Sequence, residues 1–262
     1  MSKEGRLERA PLAYRNEEFL QGWSARSLRI LSEYFEPLDR LGRHQIRDTV
    51  VFFGSARIRE EGPMARYYAA ARELARQVTM WSDSLEPPTR RFVICTGGGP
   101  GIMEAANRGA NDAGGLSIGF NIALPFEQWP NPHMTPDLNF EFHYFFMRKF
   151  WFAYLAKALV VFPGGFGTLD EMSEILTLTQ TQKLEKKIKI VLYGSEFWHE
   201  VLNFEALLKH GMIGEEDMSL FEFADTPEDA MAILKPFLAE NYLQPHQVRA
   251  AEDLPDIAHS RI

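Results

Sequence analysis

Three segments of this sequence place glycines between an apolar run and a helical pattern. They are Gly54-Ser55, Thr96-Gly97-Gly98-Gly99-Pro100-Gly101 and Pro163-Gly164-Gly165-Phe166-Gly167-Thr168. Glycine lets a backbone approach an anion closely, and the helix that follows adds unpaired N–H donors and the positive end of its dipole. One such loop reads equally well as a tight strand-to-helix turn. Three on one sheet edge read as a phosphate cradle built from Gly54, Ser55, Gly98, Gly99, Gly164, Gly165, Gly167 and Thr168. No GxxxxGK[ST] P-loop occurs, and Ile102 and Asp170 stand where a dinucleotide fingerprint needs its third glycine. No acidic residue ends the following strand to hold a ribose diol. The expected ligand is therefore a mononucleotide or sugar phosphate rather than NAD or ATP.

Two charged residues stand in apolar surroundings. Thr168-Leu169-Asp170-Glu171 matches a capping box, with Thr168 as N-cap and Glu171 three residues on. On a helical wheel, however, Glu171 falls among Leu169, Met172, Ile175, Leu176 and Leu178. A carboxylate on the core side of a helix, one turn from a glycine loop, is costly unless paired or used. Both the capping and the catalytic reading stand at this point. Arg148 lies on an aromatic stripe with Tyr144, Trp151, Phe152 and Leu155, where a guanidinium needs an anion, a ring to stack on or a structural salt bridge. Glu104 is expected on the outer side of its helix with Asn107, Arg108 and Asn111, serving the helix dipole. The seven histidines show no HxxxH or HExxH spacing and one cysteine cannot build a thiolate cluster, so no metal is expected. Cys95 reads as core, and no GxSxG elbow supports a serine hydrolase.

The elements that must position these groups follow a strand–turn–helix rhythm. Apolar runs at 50–53, 92–96, 116–122, 158–162 and 189–193 predict strands, with short strands at Asn139–Phe142 and 220–225. Helices are predicted over 63–80, after each glycine loop, over 144–157, over 196–210 and from the Thr226-Pro227 cap to about Tyr242; residues 81–90 read as a loop. Strands apolar on both faces and alternating with helices predict an α/β, doubly wound, Rossmann-like parallel sheet of about seven strands with helices on both faces. The domain reading is an N-terminal helical arm (1–44), one nucleotide-binding catalytic domain (45–245) and a C-terminal tail (246–262). The helix over 144–157 is apolar nearly all round, which predicts burial on several sides and a subunit interface.

The chain has 262 residues and a net charge of −8. Residues 200–262 carry 4 Lys/Arg against 13 Asp/Glu, while 1–199 carry 24 against 23. No basic stripe predicts a nucleic-acid partner, and the arginine-rich arm is interleaved with acids. No apolar run reaches the about 18–20 residues of a membrane span, and the first residues lack a signal-peptide core. A single cysteine fits a reducing cytoplasm.

With these residues set out, the chain resembles the Lonely Guy (LOG) family, often labelled possible lysine decarboxylases, and its longer bacterial members in particular. The likeness runs over about 30–240. It is carried by Gly97-Gly98-Gly99-Pro100-Gly101-Ile102-Met103-Glu104, by Arg148-Lys149, and by Pro163 to Glu171, which fits the pattern PGGxGTxxE at every fixed position. The resemblance implies a seven-stranded fold, homodimers or larger homo-oligomers, and a phosphoribohydrolase. Such enzymes hydrolyse the N-glycosidic bond of a nucleoside 5′-monophosphate, a cytokinin riboside monophosphate or AMP, to free base and ribose 5-phosphate. It implies Arg148 and Glu171 as the catalytic pair and Lys149, the 164–171 loop, Glu127 and Thr177 as substrate contacts. No cofactor is implied. Breaking a ribosyl C–N bond builds an oxocarbenium-like centre, which a carboxylate such as Glu171 stabilises or attacks through water. Arg148 could hold a ribose hydroxyl, the phosphate or Glu171 itself. Amino-acid decarboxylation needs an electron sink such as a pyridoxal-phosphate Schiff base, and the one lysine in these motifs, Lys149, sits on an aromatic helix beside Arg148. The alternative reading is a non-catalytic carrier of a nucleotide or phosphate ligand on the same fold.

Overall fold

The computed structural model describes residues 9–85, 90–124 and 129–243. Its helices are α1 (Glu17–Gln21), α2 (Arg26–Arg43), α3 (Ala65–Asp83), α4 (Ile102–Asp112), α5 (Phe145–Leu155), α6 (Phe166–Gln180), α7 (Ser195–Val201), α8 (Phe204–Lys209) and α9 (Pro227–Tyr242). The strands are β1 (Thr49–Phe53), β2 (Val93–Thr96), β3 (Ser117–Ile122), β4 (Asn139–Phe142), β5 (Ala156–Val161), β6 (Lys189–Tyr193) and β7 (Phe221–Ala224). All seven pair in parallel in the order β4-β3-β2-β1-β5-β6-β7. The chain winds outward from β1 to β4, then returns to β5 on the other side of β1. The loops leaving β1 and β5 consequently diverge, and the crevice between them is the topological switch point where open α/β sheets take their ligands.

Two apolar layers sandwich the sheet. Phe53, Cys95, Phe120 and Leu159 face α5, α6 and α7 through Phe152, Met172, Ile175 and Trp198. Val50, Phe52, Ile94 and Val160 face α3, α4 and α9 through Ala71, Leu74, Ala105 and Leu234. Every residue of β1, β2 and β5 is buried, as strands covered on both faces must be. The α2 helix docks on the first layer. Its Glu33 carboxylate accepts from the backbone N–H groups of His143 (2.8 Å) and Tyr144 (3.2 Å), closing the N-terminus of α5. The Trp151 indole donates to the Glu33 carbonyl at 2.8 Å.

Away from the glycine loops, three element boundaries differ markedly from those read in the sequence. The helix predicted over 144–157 stops at Leu155, because Ala156 and Lys157 extend β5 backward into register with β1. The helix predicted over 196–210 is two, broken at Leu202-Asn203, where the Asn203 side chain accepts from Ala206 N and starts α8. The loop predicted over 81–90 begins later, because α3 continues to Asp83 and stacks Trp81 on Phe92 with ring centroids 5.3 Å apart.

At the opposite end of the sheet from the glycine loops lies a buried ionic cluster. Asp48 accepts from the Arg91 guanidinium and lies 3.6 Å from Lys157 Nζ. Arg91 also donates to the Tyr242 carbonyl at 2.5 Å, tying down the end of α9. Asp48→Asn keeps the shape but leaves two buried cations without their anion. The variant is expected to lose about 3–5 kcal/mol of stability in urea unfolding. A loss below about 1 kcal/mol would mean that the cluster is solvated rather than structural.

Candidate active site

The three glycine loops converge on the switch point through the backbone of Ser55. Its N–H donates to the Pro163 carbonyl at 2.9 Å and its carbonyl accepts from Ile102 N at 3.2 Å. Gly54-Ser55, the Gly97–Gly101 loop and the Pro163–Thr168 loop thus form one surface. Gly165 is the N-cap of α6 and Gly101 that of α4, and no side chain caps either helix. By contrast α9, away from this surface, has a full capping box in which Thr226 and Asp229 serve each other's backbone N–H. The open end of α6 is what an anion site requires, whereas the first N–H of α4 is already taken by the Ser55 carbonyl.

Beneath the Gly97–Gly101 loop lies a buried polar floor that the sequence reading missed. Gly98 N donates to Thr96 Oγ1 (2.9 Å), which donates to Asn107 Oδ1 (2.7 Å). The Asn131 amide donates to Asn107 Oδ1 (2.9 Å) and to the Gly98 and Gly99 carbonyls (3.0 Å each). Asn107, expected on the outer side of α4, is fully buried, because its amide is the hub joining Thr96 to Asn131. Asn121 lies against Gly98, which has φ +69°. A buried network with every member bonded holds its loop rigidly. Glu104 is half-buried and accepts from the Tyr68 hydroxyl of α3 at 3.4 Å.

Arg148, in the first turn of α5, reaches across the end of the sheet. Its Nε donates to the Phe120 carbonyl at 2.7 Å, and its guanidinium lies 5.1 Å from the Phe152 ring centroid. It presses so closely on Gly97 that any side chain there would collide with its Nη2. Burial lowers its pKa, opposed by Glu171, Cys95 and Glu141.

The capping reading of Glu171 is overturned. The α6 helix begins at Phe166, three residues before the capping match requires, so Thr168 is its third residue and Glu171 its sixth. Glu171 is too far along to serve the end of the helix, and its side chain accepts no hydrogen bond from the described residues. It is 7% exposed. Burial pushes its pKa up to about 7, against the pull of Arg148 and Lys149 and with a smaller push from Glu174 and Asp170. A carboxyl poised near neutrality beside a guanidinium and an open helix end is equipped for proton transfer or for meeting a developing cation.

The other residues singled out in the sequence divide. Gly54, Ser55, Gly164, Gly165 and Gly167 reach the surface where the loops converge, while Gly98, Gly99 and Thr168 are buried beside it. Lys149 does not open onto it; its Nζ is 2.8 Å from Asp170 and 3.2 Å from Glu174, bracing α5 against α6. Thr177 is exposed and donates to the Ser173 carbonyl of its own helix at 2.8 Å. Glu127 lies outside the described residues. Cys95 is fully buried, and burial holds its thiol far above the ordinary range, so it is inert. Among the described residues no helix is long and apolar enough to cross a membrane.

Comparison with known proteins places this geometry in context. The model of the family described as "Possible lysine decarboxylase" matches residues 103–234. The chain is similar to the cytokinin riboside 5′-monophosphate phosphoribohydrolase LOG of Oryza sativa subsp. japonica, with 27% identity over 201 residues and 76% of each chain covered. It is also similar to a probable cytokinin riboside 5′-monophosphate phosphoribohydrolase of Arabidopsis thaliana, with 23% identity over 198 residues, 75% of this chain and 92% of that one. Among solved structures, a structural-genomics target matches with a TM-score of 0.51 and 21% identity, covering 72% of this chain and 99% of the other. The Moco carrier protein from Chlamydomonas reinhardtii matches with a TM-score of 0.49 and 22% identity, covering 74% and 99%. The first of these structures shows the shared Rossmann-like fold and nothing further.

Proposed function

Because this chain belongs to the LOG family, whose family description reads possible lysine decarboxylase, we propose that it hydrolyses the N-glycosidic bond of a nucleoside 5′-monophosphate. AMP and cytokinin riboside monophosphates are the candidate substrates, and the products are free base and ribose 5-phosphate. The observation that carries the reading is the buried Glu171, poised near neutrality, facing Arg148 beside an uncapped helix end. In this reading the 5′-phosphate sits on the open end of α6, over Gly164, Gly165, Gly167 and Thr168, with Ser55 as neighbour. That places the ribose toward Glu171. As the C–N bond breaks, positive charge grows on the ribosyl ring, and the ionised Glu171 stabilises it and aligns the water that attacks C1′. Arg148, fixed by Phe120 and Phe152, favours the ionised state of Glu171 through its charge. Phosphate binding away from the reacting bond supplies orientation.

Lysine decarboxylation has less support. Burial alone would lower the Lys149 pKa, but the bonds to Asp170 and Glu174 outweigh it and raise it. An ammonium held in this way is a poor aldimine-forming nucleophile.

The test is chromatographic. Purified protein should release adenine from AMP, or a cytokinin base from its riboside monophosphate, at least about 100-fold faster than from the unphosphorylated nucleoside. Equal turnover of AMP and adenosine would remove the phosphate from the mechanism.

We also propose a homodimer or larger homo-oligomer. Most of α5 is buried within its own subunit, but Phe145 and Phe146 remain half exposed. Leu28, Leu31 and Phe35 form an exposed stripe on α2, and Phe166 is 92% exposed. Apolar surface of this extent is a common mark of an interface. Light scattering should give at least twice the 30.0 kDa chain mass; a monomer at micromolar concentration would contradict the assembly.

A further inference from the structure

A cavity of about 290 Å³ opens at the switch point, between the loop from β1 to α3, the loop from β5 to α6, and Phe197 of α7. It shares Ser55 and Gly164 with the surface described above. Arg57 and Arg59 line it, together with one carboxylate, Glu61. Neither guanidinium has an ion-pair or hydrogen-bond partner among the described residues. Several charged neighbours are paired, although among the described residues Glu61 is not. Glu60 bonds Arg108 at 3.0 Å, Arg66 bonds Glu196 at 2.7 Å, and Arg72 bonds Asp112 at 2.5 Å. In a chain of net charge −8, with acids close by, two adjacent cations left open to one cavity stand out.

The position of the cavity states what it could hold. Arg148 is anchored on β3 and pressed against the loop after β2. Gly164 follows β5, two strands further along, which is about 10 Å at the ordinary strand spacing. The cavity lies against that loop, walled on its other sides by the β1–α3 loop and by Phe197 of α7. A nucleotide with its glycosidic bond at Glu171 and its 5′-phosphate on the end of α6 therefore directs its 5′ end into the cavity. Arginine forks match phosphate oxygens and keep their charge at every working pH.

We propose that Arg57 and Arg59 form a subsite for a second phosphoryl group carried on the 5′-phosphate, so that this site takes nucleoside 5′-diphosphates as well as monophosphates. The proposal rests on the phosphoribohydrolase reading for the placement of the first phosphate. The test is calorimetry on full-length Glu171→Gln protein, which cannot consume its ligand, with AMP, ADP and inorganic diphosphate as probes. ADP is expected to bind at least about tenfold tighter than AMP. In a protein that also carries R57A and R59A, that ratio should fall to within about twofold. Any of three results with the nucleotides would overturn the subsite. ADP could bind no tighter than AMP in the parent protein, a measurement that needs no arginine variant. The ratio could survive the double substitution. AMP and ADP could weaken equally, which would assign the arginines to the first phosphate. Inorganic diphosphate separates this proposal from the reading beneath it. If no nucleotide binds, diphosphate held by the parent and lost with both arginines still supports the subsite, while the phosphoribohydrolase reading fails. Diphosphate that binds neither protein defeats the subsite.

Discussion

Replacing Arg148 with alanine is expected to lower AMP cleavage at pH 7 by about 10²–10³-fold and to displace its pH dependence. In the intact protein burial holds Glu171 at about 7, and Arg148 is the largest influence keeping it from rising further. The ionised carboxylate is the working form, so kcat/KM should climb as pH passes through about 7. Without the guanidinium the carboxyl stays protonated to higher pH, and the rising limb of the profile moves in that direction. Part of the lost activity should return at alkaline pH, which a merely structural arginine would not produce. Rates from pH 5.5 to 9.5 decide the matter. A rising limb at an unchanged pH in the variant would separate Arg148 from the ionisation of Glu171.

Glu171→Gln is expected to cost more in rate, about 10²–10⁴-fold, because it removes the charge or base outright. It should also make the fold more stable at high pH. The Glu171 carboxyl titrates at about 7 in the folded chain, against an ordinary 4.5. Its favourable contribution is complete below about 4.5, where both states are protonated, and is lost as pH rises through about 7. Above that, the buried charge is a constant burden of at most about 3 kcal/mol. Glutamine never ionises, so the variant should exceed the parent by about 1–3 kcal/mol at pH 8 and match it near pH 4.5. A capping carboxylate would behave in the opposite sense, with its loss destabilising the helix by about 1 kcal/mol. Urea unfolding at the two pH values distinguishes them. A variant less stable than the parent at pH 8 would return Glu171 to a structural role.

The sheet and the glycine loops were legible because they are local. The runs of β2 and β5 pass through a glycine loop directly into α4 and α6, and β1 ends just before Gly54, so adjacency in sequence already states adjacency at the sheet edge. The core-side placement of Glu171 was legible from helical period alone. The start of α6 was not. Thr168-x-x-Glu171 imitates a capping box, and the Gly165-Phe166-Gly167 stretch hides that the helix has already begun at Phe166. The end of α5 was misread for a related reason, since no turn residue separates Leu155 from the strand that starts at Ala156. The polar floor under Gly98 depends on Thr96, Asn107 and Asn131, which come from a strand, a helix and a loop. Only the topology brings them together. An asparagine in the alanine-rich stretch of α4 was the one local sign that something polar had to be satisfied there. The pairing of Lys149 with Asp170 and Glu174 is likewise a contact between helices, without a sequence signature.

The most direct test of the central claim, that an ionised buried Glu171 drives N-glycosidic cleavage at a bound nucleoside monophosphate, is a single-turnover experiment. Enzyme in excess over AMP is quenched at intervals and its products are separated, for the parent protein and for Glu171→Gln, with AMP affinity measured calorimetrically on the same preparations. The parent is expected to form adenine and ribose 5-phosphate in equal amounts. The variant is expected to bind AMP and return it intact. Adenine released by Glu171→Gln at a rate near that of the parent would contradict the mechanism, and AMP bound but uncleaved by both would make the protein a nucleotide carrier.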